Sequence, residues 1–197
     1  MKPNLEAQME AVGESRYDEF VEATVRFHGY PAPGVLLGCY MVTAAQRQLP
    51  QGILYDAVCE TAWCLPDAVQ MLTPCTAGNG WLRILPLGRF ALSLYDKYSG
   101  EGIRVFLDAG KVNQWPDVAD WHLKRKPKPQ QNPQRIRDQI RAAGERMFTM
   151  APIKIRSDFL VKRSKGPIRI CPLCQEAYPQ RHGEICRCCQ GDSPYEG

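Results

Sequence analysis

No stretch of this chain stays apolar for long. The longest such run, Val35 to Met41, is interrupted by Gly38 and falls far short of the roughly 18 residues a membrane-spanning helix needs. The opening, Met1-Lys2-Pro3-Asn4-Leu5-Glu6, has no apolar centre of the secretory-signal kind. No internal repeat is visible. The cysteine spacing of a ferredoxin-type iron–sulfur protein is missing too, as is any pterin-binding motif. Charge is nearly balanced, with 25 Lys and Arg against 21 Asp and Glu and a net +4. Phosphate backbones are usually gripped by a more concentrated basic face, so nucleic acid is not the expected partner. These absences predict a cytoplasmic protein with no membrane contact.

Cysteine is plentiful instead. There are nine, five of them among the last 27 residues. An odd, clustered set argues against a fully paired disulfide framework and for a reducing compartment where thiols persist and bind metal. With 44% hydrophobic and 23% charged residues, the chain has the composition of a globular protein. Its 197 residues hold one ordinary domain and a small appendage. The expected division is a core domain over 1–123, a basic Pro-rich linker with a helix and a strand over 124–166, and a zinc ribbon over 167–197.

After a loose lead-in over 1–14, Tyr17, Phe20, Val21, Thr24 and Phe27 recur at helical spacing. That helix should stop at Gly29, with Pro31 and Pro33 barring continuation, which leaves His28 at its C-terminal end. Gly34 to Gln48 reads as a buried helix, in which Gly34, Gly38 and Ala44 admit another backbone closely. Ile53 to Val58 is a strand candidate. Cys64 stands just ahead of a helix that opens on Pro66 and Asp67, and Cys75 follows in a loop. Trp81–Leu85 and Arg89–Tyr95 read as strands, the latter turning at 96–100 into Gly102–Leu107. A short helix is expected over 117–124. Asn132 and Pro133 make an N-cap and first-turn pair for a helix to about Phe148, with strand-like pieces at Ile153–Ile155 and Phe159–Val161.

The terminal cysteines carry the strongest chemical signal. Cys171 and Cys174 form one C-x-x-C knuckle, and Cys186 and Cys189 a second, eleven residues further on. Two such pairs supply four soft thiolates at the spacing of a closed tetrahedral zinc site. A module of this size cannot bury enough core to fold alone, so metal binding would drive its folding. His182 or Cys188 as a substitute ligand, disulfides, and an iron–sulfur cluster are the rival readings.

A second centre is harder to read. His28, Cys64 and Cys75 sit in Gly- and Pro-bounded loops or helix ends. One His and two Cys make a three-ligand set with an open fourth position. Equally, free cysteines are often small buried apolar residues, and a histidine closing a helix is often only a cap.

Here the motifs resemble those of the FmdE/FwdE-like family, named for a component of formylmethanofuran dehydrogenase. They are Phe27-His28-Gly29 with Pro33-Gly34; Cys64-Leu65-Pro66-Asp67-Ala68-Val69-Gln70; Pro74-Cys75-Thr76-Ala77-Gly78-Asn79-Gly80; and Leu94-Tyr95-Asp96 through Val105. The resemblance covers roughly residues 15–110 and 168–190. It implies an α+β fold, helices packed on a small mixed β-sheet, plus the C-terminal zinc module. It also implies a homodimer and a molybdenum or tungsten enzyme as partner. The metal site it implies matches His28, Cys64 and Cys75, giving two zinc sites per chain. Tyr30 and Ala32 stand where the family motif commonly has His and Cys, which favours binding over catalysis. The expected function is therefore a zinc-binding accessory or regulatory protein that binds a partner protein or a small ligand. A zinc-dependent hydrolase or lyase using metal-bound water is the first alternative. Nucleic-acid binding through the ribbon, Lys124–Lys128 and the Arg-rich helix is the second.

Overall fold

The computed structural model describes residues 5–161, 164 and 166–196, with side chains from Arg16 onward. The chain divides into two compact units, residues 1–160 and 161–197. Among the described residues no helix is long and apolar enough to cross a membrane.

The first unit is built on helix α2, Pro33–Gln46. Eleven of its fourteen residues are buried, the pattern of a helix enclosed on most sides. Helix α1, Leu5–His28, packs on α2 through Phe20, whose ring meets that of Tyr40 edge-on at 5.1 Å. The helical spacing is correct from Tyr17 onward, but the helix begins at Leu5 and includes most of the expected lead-in. Helix α3, Leu65–Leu72, lies across α2 at very close range. A Cβ on Gly38 would come within 2.6 Å of the Ala68 Cβ, and one on Gly34 within 2.8 Å of the Cys64 Cβ. Only glycine admits this approach, as the small-residue pattern predicts.

These helices cover one face of a five-stranded mixed sheet of order β2-β1-β3-β4-β5. Its strands are β1 (Tyr55–Cys59), β2 (Leu82–Ile84), β3 (Ala91–Asp96), β4 (Glu101–Leu107) and β5 (Phe148–Lys154). Strands β1 and β2 are parallel, joined through α3, and the other pairs are antiparallel. Ala57, Cys59, Leu92, Leu94 and Val105 alternate along their strands and join the α2 and α3 side chains in one core. This is the α+β architecture expected from the motifs.

Strand β5 corrects the expected division. The segment placed in a separate linker closes the main sheet, with Leu107 paired to Phe148 and Glu101 to Lys154. Two short helices, α4 (Ala109–Val112) and α5 (Pro116–His122), lie between β4 and helix α6, Pro133–Ala143. Helix α6 likewise sends Ile136, Ile140 and Ala143 into the same core. It ends at Ala143 rather than near Phe148 because Gly144 takes φ +54°, a positive angle at which glycine commonly terminates helices. A 3-10 turn, Gly144–Met147, leads into β5, and α7 (Ser157–Leu160) follows it.

On the other face of the sheet a polar network is held in place. Glu60 is buried and meets Arg104 through two hydrogen bonds, of 2.6 and 2.9 Å, and Arg89 at 2.7 Å. The Arg104 hydrogen bonds and the two guanidinium charges hold its carboxyl below the ordinary value of 4.5, against the effect of burial.

The second unit contains hairpin β6 (Ile168–Ile170) and β7 (Ala177–Pro179), and a helical turn over Cys188–Asp192. Its buried apolar cluster consists of Cys171, Tyr178 and Cys186.

Candidate metal centre and ligand cavity

The first knuckle fills the turn between β6 and β7, and the second runs into the helical turn that follows. The sulfur atoms of Cys171, Cys174, Cys186 and Cys189 converge within 4.8 Å of one another. Cys171 and Cys189 are 3.8 Å apart, and Cys174 and Cys186 3.6 Å. A tetrahedron with metal–sulfur bonds of about 2.3 Å has edges of about 3.8 Å. The four thiols therefore fit a zinc ion. Backbone N–H groups reinforce the fit. The Cys186 N–H points to the Cys171 sulfur and the Cys189 N–H to the Cys186 sulfur, each at 3.5 Å. Backbone N–H donors from Cys174 and Cys186 pull the Cys171 thiol down to about 6, favouring the thiolate that binds metal. Cys188 is exposed and, like His182, lies outside the set.

The internal residues are arranged differently. His28 closes α1, and its Nδ1 lies 2.6 Å from Asp67 Oδ2 in the first turn of α3. Cys64 is the N-cap residue of α3, at φ +56°, an uncommon conformation for a side-chain-bearing residue. Cys75 is buried elsewhere, its Sγ donating to the Tyr55 carbonyl at 3.4 Å. Burial pushes the Cys75 thiol up to about 11. It likewise pushes Cys59 up to about 12, with Cys75 adding to the effect as a neighbour. Among the described residues the terminal cysteines are the one set of three or more ligand groups brought together. The structure thus does not gather His28, Cys64 and Cys75 at one point. Cys75 pairs with the start of β1, whereas Cys64 follows its end.

What Cys64 does face is a cavity of about 690 Å³, in the range of small-molecule sites. Tyr30–Gly34, Trp63, Phe90, Trp121 and residues between His122 and Arg137 form its walls. Burial and the neighbouring Lys124 charge lower the basicity of His122 from its ordinary value of 6.5, keeping the ring neutral. Burial, with Asp67 nearby, raises the Cys64 thiol, so it rests protonated. Sequence reasoning missed the Asp67 partner of His28 and the contributions of Trp121 and His122. Asp67 stands in the motif that opens α3, three residues after Cys64. The other two carry no local signal, because a crossover of more than fifty residues brings them to Cys64.

Comparison with known proteins agrees with this geometry. A model of the family described as FmdE, molybdenum formylmethanofuran dehydrogenase operon, matches residues 27–156. The chain belongs to the FmdE family. A second model, the FmdE treble clef zinc finger, matches residues 162–196, in keeping with four cysteines on a hairpin and a helical turn. Among solved structures the chain is similar to a tungsten formylmethanofuran dehydrogenase FmdE-like protein from Syntrophus aciditrophicus. That likeness has 54% identity and a TM-score of 0.84, over 91% of this chain and 95% of the other. A probable S-adenosyl-L-methionine-binding protein from Archaeoglobus fulgidus is 33% identical over 116 residues. The match takes in 54% of this chain and 31% of that relative's length. The protein is accordingly an FmdE-like zinc-binding protein with a four-cysteine centre.

Proposed function

We propose that this FmdE-family protein is an accessory protein that holds a small ligand in the cavity beside Cys64. A second copy or a molybdenum or tungsten enzyme would be its partner in the reducing interior of the cell. The carrying observation is the cavity itself: a space of about 690 Å³ with Cys64 in its wall and a neutral imidazole beside it. The name of the archaeal relative makes S-adenosyl-L-methionine the first compound to try. A thermal-shift screen of metabolites should find a ligand that raises the melting temperature and shields Cys64 from iodoacetamide. Trp121→Ala should abolish both effects. A screen that yields no compound shielding Cys64, or a ligand indifferent to Trp121→Ala, removes this reading.

A second reading, a metal at the internal site, is supported by the His28–Asp67 pair. Metal-binding histidines commonly donate their other ring nitrogen to a carboxylate, and Asp67 occupies Nδ1, leaving Nε2 for a metal. Cys75 does not fit that site. His28 and Cys64 would hold the ion with a solvent or ligand atom, and the ion would supply a polarising charge. Metal analysis decides between the readings. Loss of about one zinc in Cys186→Ser and a further zinc in His28→Ala supports the second; loss in Cys186→Ser alone leaves only the terminal centre.

A further inference from the structure

The cations near the cavity differ in their surroundings. Lys126 lies 2.6 Å from Asp120, and Arg135 3.2 Å from Asp117; neither lines the cavity. Lys124, Lys128 and Arg137 do line it, and none of the three has an ion-pair partner among the described residues. The Arg137 guanidinium donates to the neutral Gln134 side chain, at 2.6 Å. Among the described residues no Asp or Glu lines the cavity. Three cations at one cavity, without an ion-pair partner among the described residues, make a local positive field, which low-dielectric walls concentrate.

Those walls are aromatic. Trp121 and Phe90 are partly buried against the core, and Trp63 stands at the same cavity with 80% of its surface exposed. An indole this exposed gains little from folding, yet it offers a flat face to a ring entering beside it. Lys124 Nζ lies 5.4 Å from the centre of the Trp121 ring, which places one positive charge next to one stacking surface.

Resting on the ligand-cavity reading above, we infer that the occupant is a small planar aromatic molecule carrying a phosphate or carboxylate. Its ring packs against Trp121 and Trp63, and its anionic group meets Lys124, Lys128 and Arg137. The size of the space favours a free molecule of mononucleotide dimensions over a strand, which would need a groove following several phosphates.

The test is a titration of the full-length, zinc-loaded protein, followed by tryptophan fluorescence. The probes are adenosine 5′-monophosphate, anthranilate, adenosine, inorganic phosphate and an eight-nucleotide single-stranded DNA. At least one of the two ring-bearing anions should bind at least tenfold more tightly than adenosine and than inorganic phosphate. Which one does separates phosphate from carboxylate. The double variant Lys124→Gln/Arg137→Gln should weaken that anion at least tenfold and leave adenosine unchanged. Lys126→Gln, outside the cavity, should change neither. Adenosine binding as tightly as the ring anions overturns the anionic class and leaves the cavity reading standing. Phosphate binding as tightly overturns the aromatic class. Failure of both ring anions to bind overturns the inference, and a metabolite screen that yields no compound shielding Cys64 removes the cavity reading beneath it. DNA displacing the bound anion at lower concentration replaces the small ligand with a nucleic acid strand.

Discussion

The two units of this protein reach an ordered state by different routes. In residues 1–160, thirty of the described residues are buried in one apolar cluster that joins the helices to the sheet. In residues 161–197 the equivalent cluster has three, two of them metal-binding cysteines. Burial of side chains stabilises the first at about 25 cal/mol per Å² of apolar surface. The second has almost no such surface, so its fold depends on the ion. Below about 40 residues, a metal, a disulfide or a partner is the usual requirement. Apolar cohesion is spread over many residues and tolerates the loss of one. Metal cohesion passes through four atoms and does not.

Removing zinc is the sharpest way to break this comparison. Structural zinc contributes apparent binding free energies of about 10–16 kcal/mol near neutral pH in finger peptides. Strong chelation, or Cys171→Ser, should therefore expose residues 161–197 to protease while 1–160 remains resistant. Limited proteolysis with mass spectrometry reads both units at once. Simultaneous digestion of the two would show that the first also depends on the ion.

A smaller effect is confined to the first unit. Glu60→Ala leaves Arg104 beside a vacated ion pair, and breaking a buried pair costs about 3–5 kcal/mol. Arg104 retains some solvent contact, with a side-chain exposure of 22%, which puts the loss near the lower end. Denaturant unfolding monitored on the first unit checks it. The same carboxyl sets an acid limit. Its folded value is depressed below 4.5, so its stabilisation is fully present above the unfolded value. That stabilisation is lost as pH falls through the folded one. The first unit should lose stability below about pH 4.5 more steeply in the wild type than in Glu60→Gln, as urea midpoints measured across pH would show.

The smallest expected change is at a cap. Asn132 Oδ1 accepts from the N–H groups of Gln134 and Arg135 at 3.0 and 3.1 Å. Asn132→Ala should cost about 1 kcal/mol, measurable as a shift in the denaturation midpoint with the zinc unit unaffected.

Features written in adjacent residues were legible before the fold. The two C-x-x-C knuckles, the Asn132–Pro133 helix start, the turn at 96–100 and the Gly34/Gly38 contacts all depend on local spacing, and each is found where expected. Features assembled across the chain were not. Met147 and Phe148 continue the apolar face of α6, and only the φ of Gly144 shows that the helix has ended. The pairing of His28 with Asp67 needs α1 and α3 side by side. Cys75 looked like a partner for Cys64 because both lie in loops beside the same short helix; in the fold Cys75 turns inward to the Tyr55 carbonyl while Cys64 faces the cavity. The three cations of the cavity, without an ion-pair partner among the described residues, are indistinguishable in sequence from Lys126 and Arg135, which have one.

The place of β5 at the edge of the sheet also bears on synthesis. During synthesis β4 can pair with β3 as soon as it emerges, but its other edge stays open, because its second partner lies about forty residues downstream. At about 5–20 residues per second this edge waits about 2–8 s for Phe148–Lys154 to emerge. An unpaired strand edge is a template for another chain, so nascent chains on the same message are at risk of pairing through β4. The interval between Leu107 and Phe148 is thus a period of exposure that a ribosome-associated holdase would be well placed to cover, and slower elongation across that interval would lengthen it.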